Sequence, residues 1–264
     1  MKKLGVCGDS YMAAISYNEN DLDNGCGKHF TELLGEKLGW DVVTFARGAC
    51  SNQTIRLQID EVIKESPDLV IIGLTSPDRF EYPIYDLSTP EYFDKFKEEF
   101  KSKMYQPNDG LYNIDYNGFP DKSSEHEKFK KIDPKMVSET LNNFFWGNQS
   151  KEVLTKSDIK ILENWFVRFY DFNWKVQQDS WIIANGLRKL LDNNIEFFCI
   201  NTNLYPHELE FFKERIISHS SQLNPWNYYY PNHTNVKYRF HTTLETQELL
   251  SELWFKLINE NYEK

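Results

Sequence analysis

Apolar segments alternate with helical patterns over the first 75 residues, and this alternation restricts the chain to few folds. The segments span residues 4–7, 41–46 and 69–74, and the last is continuously apolar. Such a run is typical of a strand that helices cover on both faces. Apolar residues stand at helical spacing in the two intervals: Phe30, Leu33, Leu34 and Leu38, then Ile55, Ile59, Val62 and Ile63. The pattern predicts an α/β fold with a parallel, doubly wound sheet.

Turn and capping residues separate these predicted elements. Gly39 is placed to end the first helix, and Ser51 or Asn52 is placed to cap the second. We therefore predict strand, helix, strand, helix and strand in that order.

The pattern breaks from about residue 79 to residue 157. This stretch holds no repeat, has helical candidates at 90–103 and 134–145, and is too aromatic for simple disorder. We predict a helical or irregular insertion within a single domain, 1–264. It serves either as a cap over the sheet edge or as a packing or oligomer contact.

Regular patterns return in the last third of the chain. Residues 161–191 show the spacing of one long bent helix or two, and residues 195–200 read as a fourth strand. The last helix is expected to open at Thr242, because Thr242 and Glu245 form a capping-box pattern. His241 then lies in the loop immediately before that helix.

Composition excludes some classes of function. The chain has 30 basic and 40 acidic residues and a formal charge of -10, which argues against binding to nucleic-acid phosphates. No signal peptide or membrane-spanning stretch is seen, so we expect a cytoplasmic protein without membrane insertion. The four cysteines lack CxxC spacing and are expected to be reduced thiols. The histidines show no metal-binding spacing, so we expect no metal and no cofactor.

Ser10 is the residue best placed for chemistry. It follows the first strand in the turn Gly8-Asp9-Ser10, which puts its hydroxyl at the carboxyl edge of the sheet, where ligands bind in open α/β folds. A serine there is a nucleophile if a base reaches it. Alternatively, Ser10 caps the first helix.

The order of these residues resembles the SGNH hydrolases, also called the GDSL esterase/lipase superfamily. Gly8-Asp9-Ser10 matches the first block of that family, and Gly48 lies where the second block has a glycine. The resemblance implies a flavodoxin-like three-layer α/β/α fold. It also implies that Ser10 is the nucleophile, that His241 is the base, and that the N–H groups of Ser10 and of Gly48 or Ala49 hold the oxyanion.

Two blocks depart from the family pattern. Thr75 stands where the third block has an oxyanion-binding asparagine, and its hydroxyl can still donate one hydrogen bond. Tyr238 stands three residues before His241, where the family has the aspartate that orients the histidine. His233 is the competing base.

Three further residues on the same loops are candidate contacts to substrate. They are Asp9, Asn52 and Arg79.

The resemblance implies a serine esterase that hydrolyses acyl esters through an acyl-enzyme. The aromatic content favours a carbohydrate O-acyl ester as substrate. An acyltransferase acting on a glycan and a non-catalytic binding or structural protein on the same scaffold are the alternatives.

Overall fold

The computed structural model describes residues 1–13, 28–46, 50–75, 77, 79–83, 111–115, 172–201, 206–228, 238–239 and 242–262. Its strands and longer helices run in the order β1 (Lys3–Cys7), α1 (Phe30–Leu38), β2 (Asp41–Thr44), α2 (Asn52–Lys64), β3 (Leu69–Gly73), β4 (Arg79–Pro83), β5 (Leu111–Asp115), α3 (Phe172–Asp192), β6 (Glu196–Ile200), β7 (Ile216–Ile217), β8 (Tyr238–Arg239), β9 (Thr242–Thr243) and α4 (Leu244–Tyr262). The described residues also form a short helical turn, Pro206–Leu209, and two 3₁₀ helices, Glu210–Arg215 and Pro225–Tyr228.

A five-stranded sheet with the order β2-β1-β3-β6-β7 forms the centre of the fold. Every neighbouring pair in it is parallel, with Gly5 opposite both Val43 of β2 and Val70 of β3. A strand order of 2-1-3-4-5 is the flavodoxin-like arrangement. The predicted parallel sheet is therefore confirmed.

Helices cover both faces of this sheet, because its strands send alternate side chains to opposite sides. From β3, Val70 and Ile72 pack in one core cluster with helices α2 and α3, whereas Leu69 and Ile71 pack in a second cluster with α1 and α4. Trp254 of α4, the largest fully buried side chain among the described residues, belongs to the second cluster. Two cores on either side of one sheet make the predicted three-layer α/β/α sandwich, and this part of the prediction is confirmed.

The predicted helix boundaries at α1 and α2 are also confirmed. Gly39 ends α1 with a φ of 65°, in the left-handed region that glycine favours. Ser51 caps α2, and its side chain accepts a hydrogen bond from the N–H of Thr54. Of the two capping candidates, Ser51 is the cap and Asn52 is the first helical residue.

The predicted start of the last helix is wrong by two residues. Thr242 and Thr243 form strand β9, which pairs with β8, and the helix begins at Leu244. The Thr243 hydroxyl accepts a hydrogen bond from the N–H of Thr246, so Thr243 takes the capping role predicted for Thr242.

Strands β4, β5 and β7 were also not predicted from the sequence. β7 adds a fifth strand to the central sheet through a pair of residues, Ile216–Ile217. β4 and β5 form a separate antiparallel pair inside the predicted insertion. The helical candidates at 90–103 and 134–145 lie outside the described residues, so the insertion and its role stay predictions. Within the described part of the chain, no helix has the length and apolar character needed to cross a membrane.

Candidate active site

Ser10 lies at the carboxyl edge of the sheet, next to the point between β1 and β3 where the strand order reverses. The chain leaves β1 for β2 on one side of it, whereas it leaves β3 for β6 on the other side. The connections that follow β1 and β3 therefore run in opposite directions. In flavodoxin-like folds ligands bind at this β1/β3 switch point. Ser10 follows β1 by three residues and is partly exposed, whereas Asp9 is completely buried.

Gly8 gives this turn a backbone shape that other residues rarely adopt. Its φ is 149°, and a Cβ at this position would lie 2.5 Å from Cγ of Met12 and 2.8 Å from the carbonyl oxygen of Gly73. The turn therefore needs glycine both for its torsion angle and for its close approach to β3.

The side chain of Gln58, on α2, holds both backbone groups of Gly8. Its Oε1 accepts a 2.7 Å hydrogen bond from the Gly8 N–H, and its Nε2 donates a 3.2 Å bond to the Gly8 carbonyl. The Cys50 thiol donates to the same carbonyl at 3.3 Å. Gln58 and Cys50 are both fully buried. Buried contacts from α2 and from Cys50, which precedes α2, therefore fix the start of the serine turn.

The Asp9 carboxylate organises the rest of the turn. Oδ1 accepts a hydrogen bond from the N–H of Tyr11 at 3.0 Å, and Oδ2 accepts one from the Thr75 hydroxyl at 2.9 Å. The Asp9 carbonyl accepts from the N–H groups of Met12 and Ala13. Because the carboxylate is fully buried, this geometry gives no support to the substrate contact predicted for Asp9.

Thr75, the predicted oxyanion donor, lies next to the serine turn, and its hydroxyl donates a hydrogen bond to Asp9. A threonine hydroxyl has a single proton to donate. That proton is used within the protein here, so an oxyanion role for Thr75 stays a prediction without support from this hydrogen bond.

Asn52 is fully buried and makes three hydrogen bonds through its side-chain amide. Its Oδ1 accepts from the Thr75 N–H at 3.0 Å, and its Nδ2 donates to the Thr75 carbonyl at 2.9 Å and to the Asp179 carboxylate at 3.0 Å. Both N–H bonds of the amide are thus donated inside the protein. The substrate contact predicted for Asn52 has no donor left in this arrangement.

Asp179 and Lys175 of α3 were not predicted as part of the site. Asp179 is 1% exposed, and its Oδ1 lies 2.5 Å from Nζ of Lys175, one helical turn earlier. The sequence did contain a signal, since Asp179 stands three residues after Val176 and four before Ile183, on the apolar face of α3. A charged or polar side chain on a buried helix face needs a hydrogen-bonding partner. Gln58 shows the same signal on α2, where it lies between Ile55 and Val62.

Aromatic rings lie beside the serine turn. Tyr11 stacks on Trp226 with ring centroids 4.3 Å apart and an interplanar angle of 22°. The Tyr11 carbonyl lies 3.0 Å from Nε2 of His29, which is buried and is also the cap of α1. Because His29 caps α1, the alternative in which Ser10 caps that helix is wrong.

Several predicted site residues lie outside the described part of the chain. They are His241, Gly48 and the alternatives Ala49 and His233, together with the side chains of Arg79 and Tyr238. Their roles stay predictions. Among the residues that the structure does describe, no group of three or more His, Cys, Asp or Glu side chains is arranged to hold a metal ion.

No protein-family model matches the chain, and no curated protein matches its sequence. Solved structures do match. One is a protein described as lipolytic and of the G-D-S-L family, from Desulfitobacterium hafniense DCB-2, with 13% identity, a TM-score of 0.41, and coverage of 97% of this chain and 99% of the other. A lipase/acylhydrolase from Enterococcus faecalis matches at 12% identity with a TM-score of 0.30, over 98% of this chain and 96% of the other. The acetyl xylan esterase AlAXEase matches at 12% identity with a TM-score of 0.27, over 97% of this chain and all of the other (100%).

Proposed function

We propose that the protein is a serine hydrolase of acyl esters with Ser10 as its nucleophile. The observation that carries the proposal is the placement of Ser10, partly exposed, in a turn fixed by buried contacts at the β1/β3 switch point. A nucleophile held in a fixed geometry at a ligand-binding edge reacts faster than a mobile one.

In the proposed reaction, Oγ of Ser10 attacks the ester carbonyl carbon while Nε2 of His241 takes the hydroxyl proton. The carbonyl electron pair moves to oxygen, and the N–H groups of Ser10 and Gly48 are the proposed donors to that oxyanion. When the C–O bond to the alcohol breaks, the imidazolium returns its proton to the leaving alcohol. Water then attacks the acyl-enzyme, with His241 again acting as the base, and the acid is released.

Thr75 is left out of the proposed oxyanion donors, because its hydroxyl proton is directed to Asp9. A backbone carbonyl or another side chain near His241 would orient its ring in place of the missing aspartate.

A carbohydrate O-acyl ester is the substrate class that we favour. Tyr11 follows Ser10 directly in the chain and stacks on Trp226, which is partly exposed. Aromatic faces suit the apolar faces of sugar rings. The partly exposed Trp226, stacked on the residue that follows Ser10, is what supports this choice of substrate.

The test is the hydrolysis of a short activated acetyl ester by the purified protein and by Ser10→Ala, with labelling by a fluorophosphonate probe alongside. We expect turnover and labelling in the wild type, and neither in the variant. A wild type that neither turns over nor labels would exclude Ser10 as a hydrolytic nucleophile. Product analysis with an acceptor sugar present distinguishes hydrolysis from acyl transfer to a glycan.

A further inference from the structure

We propose that Asn52 is a positioning residue for the serine turn, acting through Thr75 and anchored on α3 by Asp179. This inference rests on the proposed function, since the reaction that it affects is attack by Ser10. Asn52 then affects the rate of attack by Ser10 and does not contact the substrate.

The first step of the argument is that Asn52 fixes the backbone of Thr75. The amide of Asn52 pairs with both the N–H and the carbonyl of Thr75, as a neighbouring β-strand would. Both residues are fully buried. The turn after β3 is therefore held against the start of α2.

The second step is that the fixed Thr75 in turn fixes the serine turn. Its hydroxyl donates to Oδ2 of Asp9, and Oδ1 of the same carboxylate accepts from the N–H of Tyr11. Asp9 and Tyr11 flank Ser10 in the sequence. One carboxylate thus connects Thr75 to the backbone on both sides of the nucleophile.

The third step concerns the other end of the network. Asp179 divides its carboxylate between Lys175 and Asn52, with one oxygen for each. The side chains of Lys175 and Asp179 are 13% and 2% exposed. A buried carboxylate paired in this way is costly to disturb, so α3 is a firm anchor for the Asn52 amide.

The experiment replaces the amide by a carboxylate. Asn52→Asp keeps the acceptor for the Thr75 N–H, removes both donated hydrogen bonds and places a like charge against Asp179. We expect kcat for the activated acetyl ester to fall by about ten- to a hundredfold, with KM within about twofold of wild type. The rate of fluorophosphonate labelling should fall with kcat.

The swapped pair tests the anchor. In the double variant N52D/D179N, the new amide at position 179 donates to the new carboxylate at position 52, which restores a hydrogen bond between α2 and α3. We expect kcat to recover part of the loss, about threefold or more. If kcat does not recover in the double variant, Asp179 does not anchor Asn52. Should N52D not fold, Asp179→Ala tests the anchor alone, with an expected loss in kcat of about tenfold.

Hydrogen exchange of the peptide that spans residues 8–13 gives a readout independent of activity. In N52D this peptide should exchange faster, while peptides from α4 keep their wild-type rates. Ser251→Ala is the matched control, because it removes a buried hydroxyl that donates to the Glu248 carbonyl within α4 and takes no part in the hydrogen bonds of Asn52, Thr75 and Asp9. It should leave both kcat and exchange at 8–13 unchanged.

The two proposals fail in different ways. If the wild type neither turns over nor labels, the proposed function fails, and the exchange rates still decide whether Asn52 holds the turn. If the wild type is active and N52D matches it in kcat, labelling and exchange, the positioning role is overturned.

Discussion

The Thr75 hydroxyl donates a 2.9 Å hydrogen bond to the Asp9 carboxylate, which joins the turns that follow β1 and β3. Each residue stands two positions beyond its strand, and the two strands pair in parallel with Cys7 opposite Ile72. The bond therefore spans the switch point of the sheet, directly beside Ser10. Two side chains that each look like candidates for substrate contact instead bind each other.

Thr75→Val should weaken the serine turn, because valine keeps the shape of threonine but cannot donate to Asp9. Loss of one buried hydrogen bond to a carboxylate costs about 1 to 3 kcal/mol of unfolding free energy. Urea unfolding measures this change. Thr75→Ser keeps the hydroxyl and should lose clearly less, so equal losses in the two variants would contradict the importance given to the hydrogen bond.

Gly8→Ala should be among the most damaging single changes in the turn. Alanine rarely adopts the φ of 149° at this position, and its Cβ would lie 2.8 Å from the Gly73 carbonyl oxygen. We therefore expect a loss of about 3 kcal/mol or more in the free energy of unfolding.

Gly39→Ala is the matched control for that variant. Its φ is also positive, 65°, but nothing lies within 4 Å of the added Cβ. It should lose only about 1 to 2 kcal/mol, the cost of the left-handed conformation. Equal losses for the two glycines, measured by urea unfolding, would mean that the contact with β3 does not matter.

The order of strands and helices in the central fold was predictable because it depends on local patterns. The run 69–74, the glycine at 39 and the serine at 51 each act within one element, and the structure places them as predicted. β7 was not predicted because a strand of two residues is too short to show a periodic pattern. The start of α4 was misplaced because Thr242 and Thr243 are both good caps, and pairing of Thr242 with Arg239 decides between them.

The partners within the candidate site were less predictable than its location. Position after β1 was enough to select Ser10 as a candidate, but the contacts of Asn52 with Thr75 and Asp179 join residues 23 and 127 positions apart. Such pairs depend on how the strands and helices are arranged in space, which local spacing does not encode. Only the polar residues on apolar helix faces, Gln58 and Asp179, gave a local sign that a buried partner exists.

Gln58→Leu should destabilise the protein by about 1 to 3 kcal/mol, because it leaves the Gly8 N–H without the 2.7 Å bond to Oε1. The Gly8 carbonyl keeps the Cys50 thiol as a donor, so the N–H carries most of the effect. Gln53→Leu changes the same residue type at an exposed position of α2 and should lie within about 0.5 kcal/mol of wild type. Chemical unfolding of the two variants side by side is the measurement, and a neutral Gln58→Leu would contradict the role given to this side chain.

Cys7 and Cys199 should resist alkylation in the folded protein. Both thiols are fully buried, and burial raises their pKa values, with Cys50 adding to the effect at Cys7. The thiolate is the reactive form, and an ordinary thiol, with a pKa of about 8.5, is partly ionised near pH 8. Because folding raises these pKa values, it favours the neutral thiols, and that contribution to stability is complete below the ordinary pKa and is lost as the pH rises through the raised values.

Iodoacetamide treatment near pH 8, followed by peptide mass spectrometry, should therefore modify these two cysteines only after the protein is unfolded in urea. Reading each cysteine on its own peptide keeps the result independent of Cys26. If Cys7 were modified as fast in the folded protein as in the unfolded protein, β1 would have to open readily at its carboxyl end. A turn that opens in this way would not hold Ser10 in the fixed geometry on which both proposals depend.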